Sequence, residues 1–265
     1  MLLYPIVGYF LLRGGVALHA SRDYLARVLG RSPGWRDVFR HHHAFASTIL
    51  DRVYLLAGET ARFDVRIHGA EAFERAYAHG RGVIMFGAHF GSFDVLRCLA
   101  EDNSQPTVNV LMHEGNSAML QSVLGSLAPH MRERIIPLGQ PDTFLRAKEL
   151  LDAGEVVGLL ADRGLAGDKS VEVPFLGALA PFPVGPQLLA SILRAPVVLF
   201  FAVYRGANRY DIYFDEFADS VTADRRNRDA ALKVWVERYA QRLEERVRDA
   251  PYNWFNFYPF WKDSA

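Results

Sequence analysis

The spacing of apolar and polar positions changes several times along this chain, and each change predicts an element. Residues 35–57 carry apolar side chains at Val38, Phe45, Ile49, Val53 and Leu56, close to the helical repeat, and Gly58 follows as a stop. Residues 63–67, Phe-Asp-Val-Arg-Ile, alternate and predict a strand with one solvated face. A short helix is expected over 70–78, closed by Gly80. From there the rhythm is strand, then helix. Apolar runs predict strands at 83–86, 108–112, 135–138, 156–160 and 197–203, with helices at 93–100, 117–127, 143–152 and 187–193. This alternation predicts an α/β fold, a mixed and largely parallel sheet flanked by helices. Residues 209–214 alternate again after a Gly/Asn-containing turn and predict a hairpin partner at the sheet edge. An amphipathic helix with a dense charged face is expected over 229–248.

The N-terminus has a different texture. Residues 2–12 are almost wholly apolar or aromatic, Arg13-Gly14-Gly15 interrupts them, and Val16-Ala17-Leu18-His19-Ala20 resumes the run. A spanning helix needs roughly 20 apolar residues, so the first run is too short. It lacks a basic region ahead of the apolar stretch and makes a poor signal peptide. Two readings stay open: a helix in the membrane interface with Tyr4 and Tyr9 at headgroup level, or a helix packed on the protein. The scarcity of charge before Arg13 favours membrane contact. The organisation expected is therefore an N-terminal helical segment over 1–60, a candidate for membrane association, and an α/β domain over 61–265.

Composition narrows the functional classes. The chain has 265 residues, half of them hydrophobic, enough for a sizeable core. Its 30 basic and 30 acidic side chains cancel, so no global charge argues for a nucleic-acid partner. The single cysteine, Cys98, excludes an intrachain disulfide and a thiolate metal cluster, and is expected to be buried packing. His41-His42-His43 falls mid-helix, where three consecutive side chains point apart and cannot chelate one ion; they are expected to be surface or partly buried. His113-Glu114 begins a zincin-like match, but Ser117 stands where the second histidine would be. No metal and no tightly held cofactor are expected.

The chemistry concentrates in Phe86-Gly87-Ala88-His89-Phe90-Gly91-Ser92-Phe93-Asp94. His89 falls in a glycine-rich turn between a buried strand and a helix, and Asp94 in the first helical turn. Ligands of α/β sheets bind beyond the carboxyl ends of strands, where this turn lies. A histidine with a carboxylate to orient it can take a proton from a hydroxyl or amine that attacks a carbonyl. No serine sits in a G-x-S-x-G elbow, so the nucleophile would come from the substrate.

The H-x4-D spacing of His89 and Asp94 is that of the glycerolipid and lysophospholipid acyltransferases. The flanking Gly87-Ala88-His89-Phe90-Gly91 resembles the lipid A late-acyltransferase branch of that superfamily. The resemblance runs through ordered blocks from Gly82 to Trp261: Ala161-Asp162-Arg163-Gly164 after a strand, Val173-Pro174-Phe175-Leu176-Gly177, Phe182-Pro183-Val184-Gly185-Pro186, Ala195-Pro196-Val197-Val198, and an aromatic tail from Tyr252. It implies a glycerolipid acyltransferase-like fold and transfer of a fatty or aryl-polyene-type acyl group. The donor implied is an acyl carrier protein or coenzyme A thioester, and the acceptor a lipid hydroxyl or amine. It further implies peripheral or weakly anchored placement on the cytoplasmic face of the inner membrane. By the same resemblance His89 is the general base and Asp94 its orienting acid. Arg163 binds an anionic group or steadies an oxyanion, with Asp162 as its orienting partner. Gly91, Ser92, His113 and Gly185 join the substrate-binding set. The apolar third block is read as loops that could wall an acyl chain, and the tail as core closure, interfacial belt or acyl groove. Members of the branch typically carry Glu at the position of Asp94 and a clearer N-terminal membrane helix. A thioesterase using water, and a non-catalytic lipid-binding protein, are the competing readings.

Overall fold

Strands buried on both faces set the layout. The computed structural model describes residues 3–95, 107–113, 134–164 and 167–261. The predicted helix 117–127, the later part of that at 93–100, and Cys98 lie outside the described residues. Three helices open the chain: α1 (Leu3–Arg13), α2 (Val16–Leu29) and α3 (Trp35–Leu56). Then come β1 (Asp64–His68), α4 (Ala70–Tyr77), β2 (Val83–Gly87), β3 (Val108–His113), β4 (Ile135–Leu138), α5 (Thr143–Asp152) and β5 (Val156–Leu160). A hairpin of β6 (Ser170–Phe175) and β7 (Ala178–Pro183) leads to α6 (Gly185–Leu193), β8 (Val197–Gly206), β9 (Arg209–Ala218) and α7 (Arg228–Asp249).

Seven strands form one sheet in the order β1-β9-β8-β2-β5-β3-β4. Every pair in it is parallel except β8 with β9. The fold is thus the predicted α/β class, with a mixed, largely parallel sheet and an N-terminal helical segment. β2 is buried at every position, as its unbroken apolar run requires for a strand covered on both faces. Alternate residues feed two cores. Ile84 and Phe86 join Leu199, Phe201 and the Tyr239 face of α7 on one side; Val83 and Met85 join Val198, Phe200 and Leu55 of α3 on the other.

Two sequence readings change. The strand at 209–218 is not the edge, because β1 adds to it in parallel register from Asp64↔Arg209 to His68↔Tyr213. The edge falls to β1, whose exposed Asp64, Arg66 and His68 discourage further strand addition. The apolar blocks at 173–177 and 182–186 are not simple loops: most of both lie in or beside the β6–β7 hairpin, registered from Ser170↔Pro183 to Phe175↔Ala178. Prolines 174, 181 and 183 disguise these strands in sequence, yet are tolerated in a two-stranded ribbon with open edges.

The N-terminal helices share the core with the C-terminal tail. Tyr24 and Leu25 of α2 and Val38 of α3 pack with Trp254, Phe260 and Trp261. The tail is core closure at these three residues. α3 turns Asp37, His41, Ala44 and Thr48 inward, so His41 is fully buried, beyond the surface or partly buried placement expected of the triplet, while His42 and His43 are half-buried. Its Nε2 lies 2.8 Å from the Trp254 carbonyl oxygen and its Nδ1 2.8 Å from Ser21 Oγ. A carbonyl only accepts, so Nε2 carries the proton and Nδ1 accepts from the Ser21 hydroxyl.

Burial, with a smaller push from His42, lowers the His41 imidazole to about 3, although the hydrogen bond to Trp254 opposes the shift. An unfolded histidine titrates near ~6.5. The unfolded chain therefore binds a proton that the folded chain refuses between those values. His41 leaves stability intact above about pH 6.5 and drains it as pH falls toward His41's folded value, by up to ~1.4 kcal/mol per pH unit. Urea midpoints between about pH 7 and 4.5 should fall less steeply for His41→Gln than for the unmodified protein. Equal slopes would mean that His41 is not held neutral.

Candidate active site

Strand register brings the site together. β2 and β5 run parallel with Gly87 opposite Leu160. Both chains leave the sheet at its carboxyl end, and His89 and Asp162 each follow two residues later. The Gly87 carbonyl is fixed by Ala161 N–H at 2.9 Å and by the buried Tyr239 hydroxyl at 2.6 Å.

The loop beyond Gly87 is stitched on two sides. Gly91 N–H donates to the Asn253 carbonyl at 2.8 Å, and Phe255 N–H donates to the His89 carbonyl at 2.8 Å. Ser92 N–H donates to the Ala202 carbonyl on β8 at 3.1 Å. Asn253 is itself locked to β8, its amide accepting from Tyr204 N–H at 2.7 Å and donating to the Tyr204 carbonyl at 3.2 Å. Gly91 adopts φ +62°, and a Cβ there would sit 1.6 Å from the Ala202 carbonyl oxygen. Only glycine fits such an approach.

Asp162 has no exposed surface. Its Oδ1 accepts from His89 Nδ1 at 2.9 Å and from His89 N–H at 3.1 Å. Its Oδ2 accepts from the Trp254 indole N–H at 3.0 Å and pairs with Arg163 Nη2 at 3.4 Å. Burial alone would push this carboxyl up; the charges of His89 and Arg163, with hydrogen bonds from His89 and Trp254, outweigh burial and hold it well below the usual carboxylate range. An ionised carboxylate only accepts, so Nδ1 of His89 carries the proton. Nε2 is left with the lone pair. The His89 side chain is 34% exposed, so this ring is within reach of a substrate. Such an arrangement suits a general base whose imidazolium form is stabilised by the carboxylate behind it.

The remaining sequence candidates fall as follows. Asp94 is buried in the first turn after the loop, and Arg52 Nε of α3 lies 2.5 Å from its Oδ2. Arg163 also donates to the Phe255 carbonyl at 3.1 Å and lies 5.1 Å from the Tyr258 ring centroid. Burial pushes the Tyr258 phenol up to about 12. Ser92 is buried, and its hydroxyl finds no partner among the described residues. His113 ends β3, opposite Leu138, at the same end of the sheet as Gly87. Gly185 opens α6 with open space where a side chain would be, and takes no part in the bonds that hold His89. The structure thus joins His89, Asp162, Arg163 and the loop glycine. Sequence reading missed Trp254, Asn253 and Tyr239, which belong to segments more than 140 residues downstream of the loop. The dense aromatic tail was the sign of Asn253 and Trp254; Tyr239 lies in α7, and nothing in its sequence marked it.

The sequence model of a family described as bacterial lipid A biosynthesis acyltransferase matches residues 42–263, well over half of the chain. No curated protein matches it.

Gly91→Ala should lower stability by more than the ~1 kcal/mol typical of point changes, because loop and β8 must separate. Urea unfolding measures this; a midpoint equal to that of the unmodified protein would show that the loop does not rest on Ala202.

Proposed function

The chain belongs to the bacterial lipid A biosynthesis acyltransferase family, and on that premise we propose that it moves an acyl group from an acyl carrier protein or coenzyme A thioester to a hydroxyl or amine of a lipid. The observation that carries the mechanism is the hydrogen bond from His89 Nδ1 to buried Asp162, which fixes the tautomer and leaves Nε2 basic. His89 Nε2 takes the acceptor proton as oxygen or nitrogen attacks the thioester carbonyl. The tetrahedral oxyanion collapses, the carbon–sulfur bond breaks, and the imidazolium returns its proton to the departing thiolate. Asp162 stabilises that imidazolium, so we give it the orienting role. Asp94, through Arg52 of α3, anchors the loop from below. Arg163 pairs with Asp162 and would steady an anionic donor group or the oxyanion.

We further propose that the protein works at a membrane surface, on the cytoplasmic face of the inner membrane. No helix among the described residues is long and apolar enough to cross a membrane. The support is a set of exposed apolar side chains on α1 and at the starts of α2 and α3. Leu12 is 90% and Trp35 69% exposed, and Tyr4, Ile6, Tyr9 and Val16 are exposed as well. Arg13 lies over Tyr9 and Arg36 over Trp35. Apolar and aromatic groups fringed by arginine suit an interface between headgroups and acyl chains.

Purified protein given labelled acyl-carrier protein or acyl-coenzyme A and a lipid extract should move label into a lipid, whose mass names the acceptor. His89→Ala and Asp162→Asn should each lower kcat by about 10²–10⁴-fold. Asp94→Asn should act mainly on stability, by ~1–3 kcal/mol. Label released only as free fatty acid would make the protein a thioesterase, and equal transfer by His89→Ala would remove the proposed base. In a second assay, Leu12→Asp with Trp35→Ala should reduce sedimentation with vesicles containing anionic phospholipid. Unchanged sedimentation would remove this face from any membrane contact.

A further inference from the structure

The hydrogen-bonded chain behind His89 does not stop at Asp162. Trp254 grips the carboxylate through its indole N–H, 3.0 Å from Asp162 Oδ2. The same residue is gripped in turn through its backbone. Its carbonyl accepts from His41 Nε2 at 2.8 Å and from Asn256 N–H at 2.8 Å. His41 is oriented by the Ser21 hydroxyl on α2, 2.8 Å from Nδ1. The line therefore runs from α2 through α3 and the tail to the carboxylate and the base, and Ser21, His41, Trp254 and Asp162 are all buried.

Packing leaves these groups little freedom. The Tyr24 ring lies 5.2 Å from His41 and 5.1 Å, edge-on, from Trp254. The Phe257 ring stacks 4.7 Å from His41. Trp254 also stands in a bridge with Phe90, and its neighbours Asn253 and Phe255 bond Gly91 and His89. A shift at Trp254 would thus move the partner of Asp162 and the backbone of His89 together.

We propose that His41 is a positioning residue for the His89–Asp162 pair, acting through both the carbonyl and the indole of Trp254. This rests on the reading of that pair as base and orienter. A histidine that merely glued α3 to the tail would affect stability alone. One that positions the pair affects the geometry at His89 in chains that are fully folded.

The test uses the full chain labelled with ¹⁵N-histidine, with the His89 ring signals assigned by their loss in His89→Ala. Ring ¹⁵N shifts report the His89 tautomer, and the Nδ1 proton reports its bond to Asp162. Three variants separate the possibilities. His41→Gln keeps an N–H able to reach the Trp254 carbonyl, His41→Leu keeps bulk without a donor, and Trp254→Phe keeps the aromatic packing without the indole N–H. In folded His41→Leu and Trp254→Phe, the Nδ1 proton should be lost to exchange or move upfield. Their kcat should fall about tenfold or more while KM stays within about twofold. His41→Gln should retain the Nδ1 signal and most of kcat. An unaltered His89 spectrum in either folded donor-less variant would overturn the proposal, as would a His41→Gln as impaired as His41→Leu. If His41→Leu does not fold, His41→Phe, which also lacks a donor, takes its place, and an unaltered His89 spectrum in folded Trp254→Phe still overturns the proposal. If the unmodified protein transfers no acyl group, the reading of function fails separately, and the spectra still decide whether His41 orients His89.

Discussion

A carboxylate without exposed surface sits behind His89, and much of the molecule is arranged around that fact. Removing an ionised carboxylate from water costs several kcal/mol even after relaxation, and the cost is offset only when its oxygens are met by donors and opposite charge. Asp162 is met on both oxygens: by the ring and backbone of His89, by the Trp254 indole and by Arg163. Each donor comes from a different segment of chain or from a separate atom of the loop. These contacts fix the carboxylate and the imidazole in one relative orientation.

The sheet makes this convergence possible. Parallel strands send their following loops to one end, and the β2–β5 register sets His89 and Asp162 the same number of residues beyond paired positions. The tail then closes the site from the other side. Its backbone bonds the loop at Gly91 and His89, its Asn253 clasps β8, and its Trp254 and Trp261 fill the core beneath. Polar groups of the tail are satisfied by the loop and those of the loop by the tail, so neither end of the arrangement can be buried without the other.

The first three helices connect the buried pair to the outside. α3 faces inward with Val38 and His41, yet leaves Phe45, Ile49, Leu50 and Val53 partly exposed on another face. Phe45 packs against Phe255 and Phe257, and the backbone of Phe255 bonds His89. A helix apolar on more than one face favours a second apolar neighbour.

Features with a local cause were legible in the order of residues alone. Unbroken apolar runs require strands buried on both faces, and the glycine-rich turn after Phe86 holds His89 where the sheet presents its ligand sites. The family resemblance was likewise legible in blocks of contiguous residues. Tertiary structure decided which groups meet. Asp94 is five residues from His89 in the chain, but its carboxylate pairs with Arg52; Asp162, seventy-three residues away, holds the imidazole. Spacing along the chain reports neither fact, because a loop's side chains can turn to either side and strand register alone sets which loops adjoin. His41 was hidden in the same way: three consecutive histidines look alike in sequence, and the rotation of α3 against Trp254 buries one of them completely. The β6–β7 hairpin escaped because its prolines break the strand pattern, and only pairing across the Leu176-Gly177 turn, both residues at positive φ, restores it.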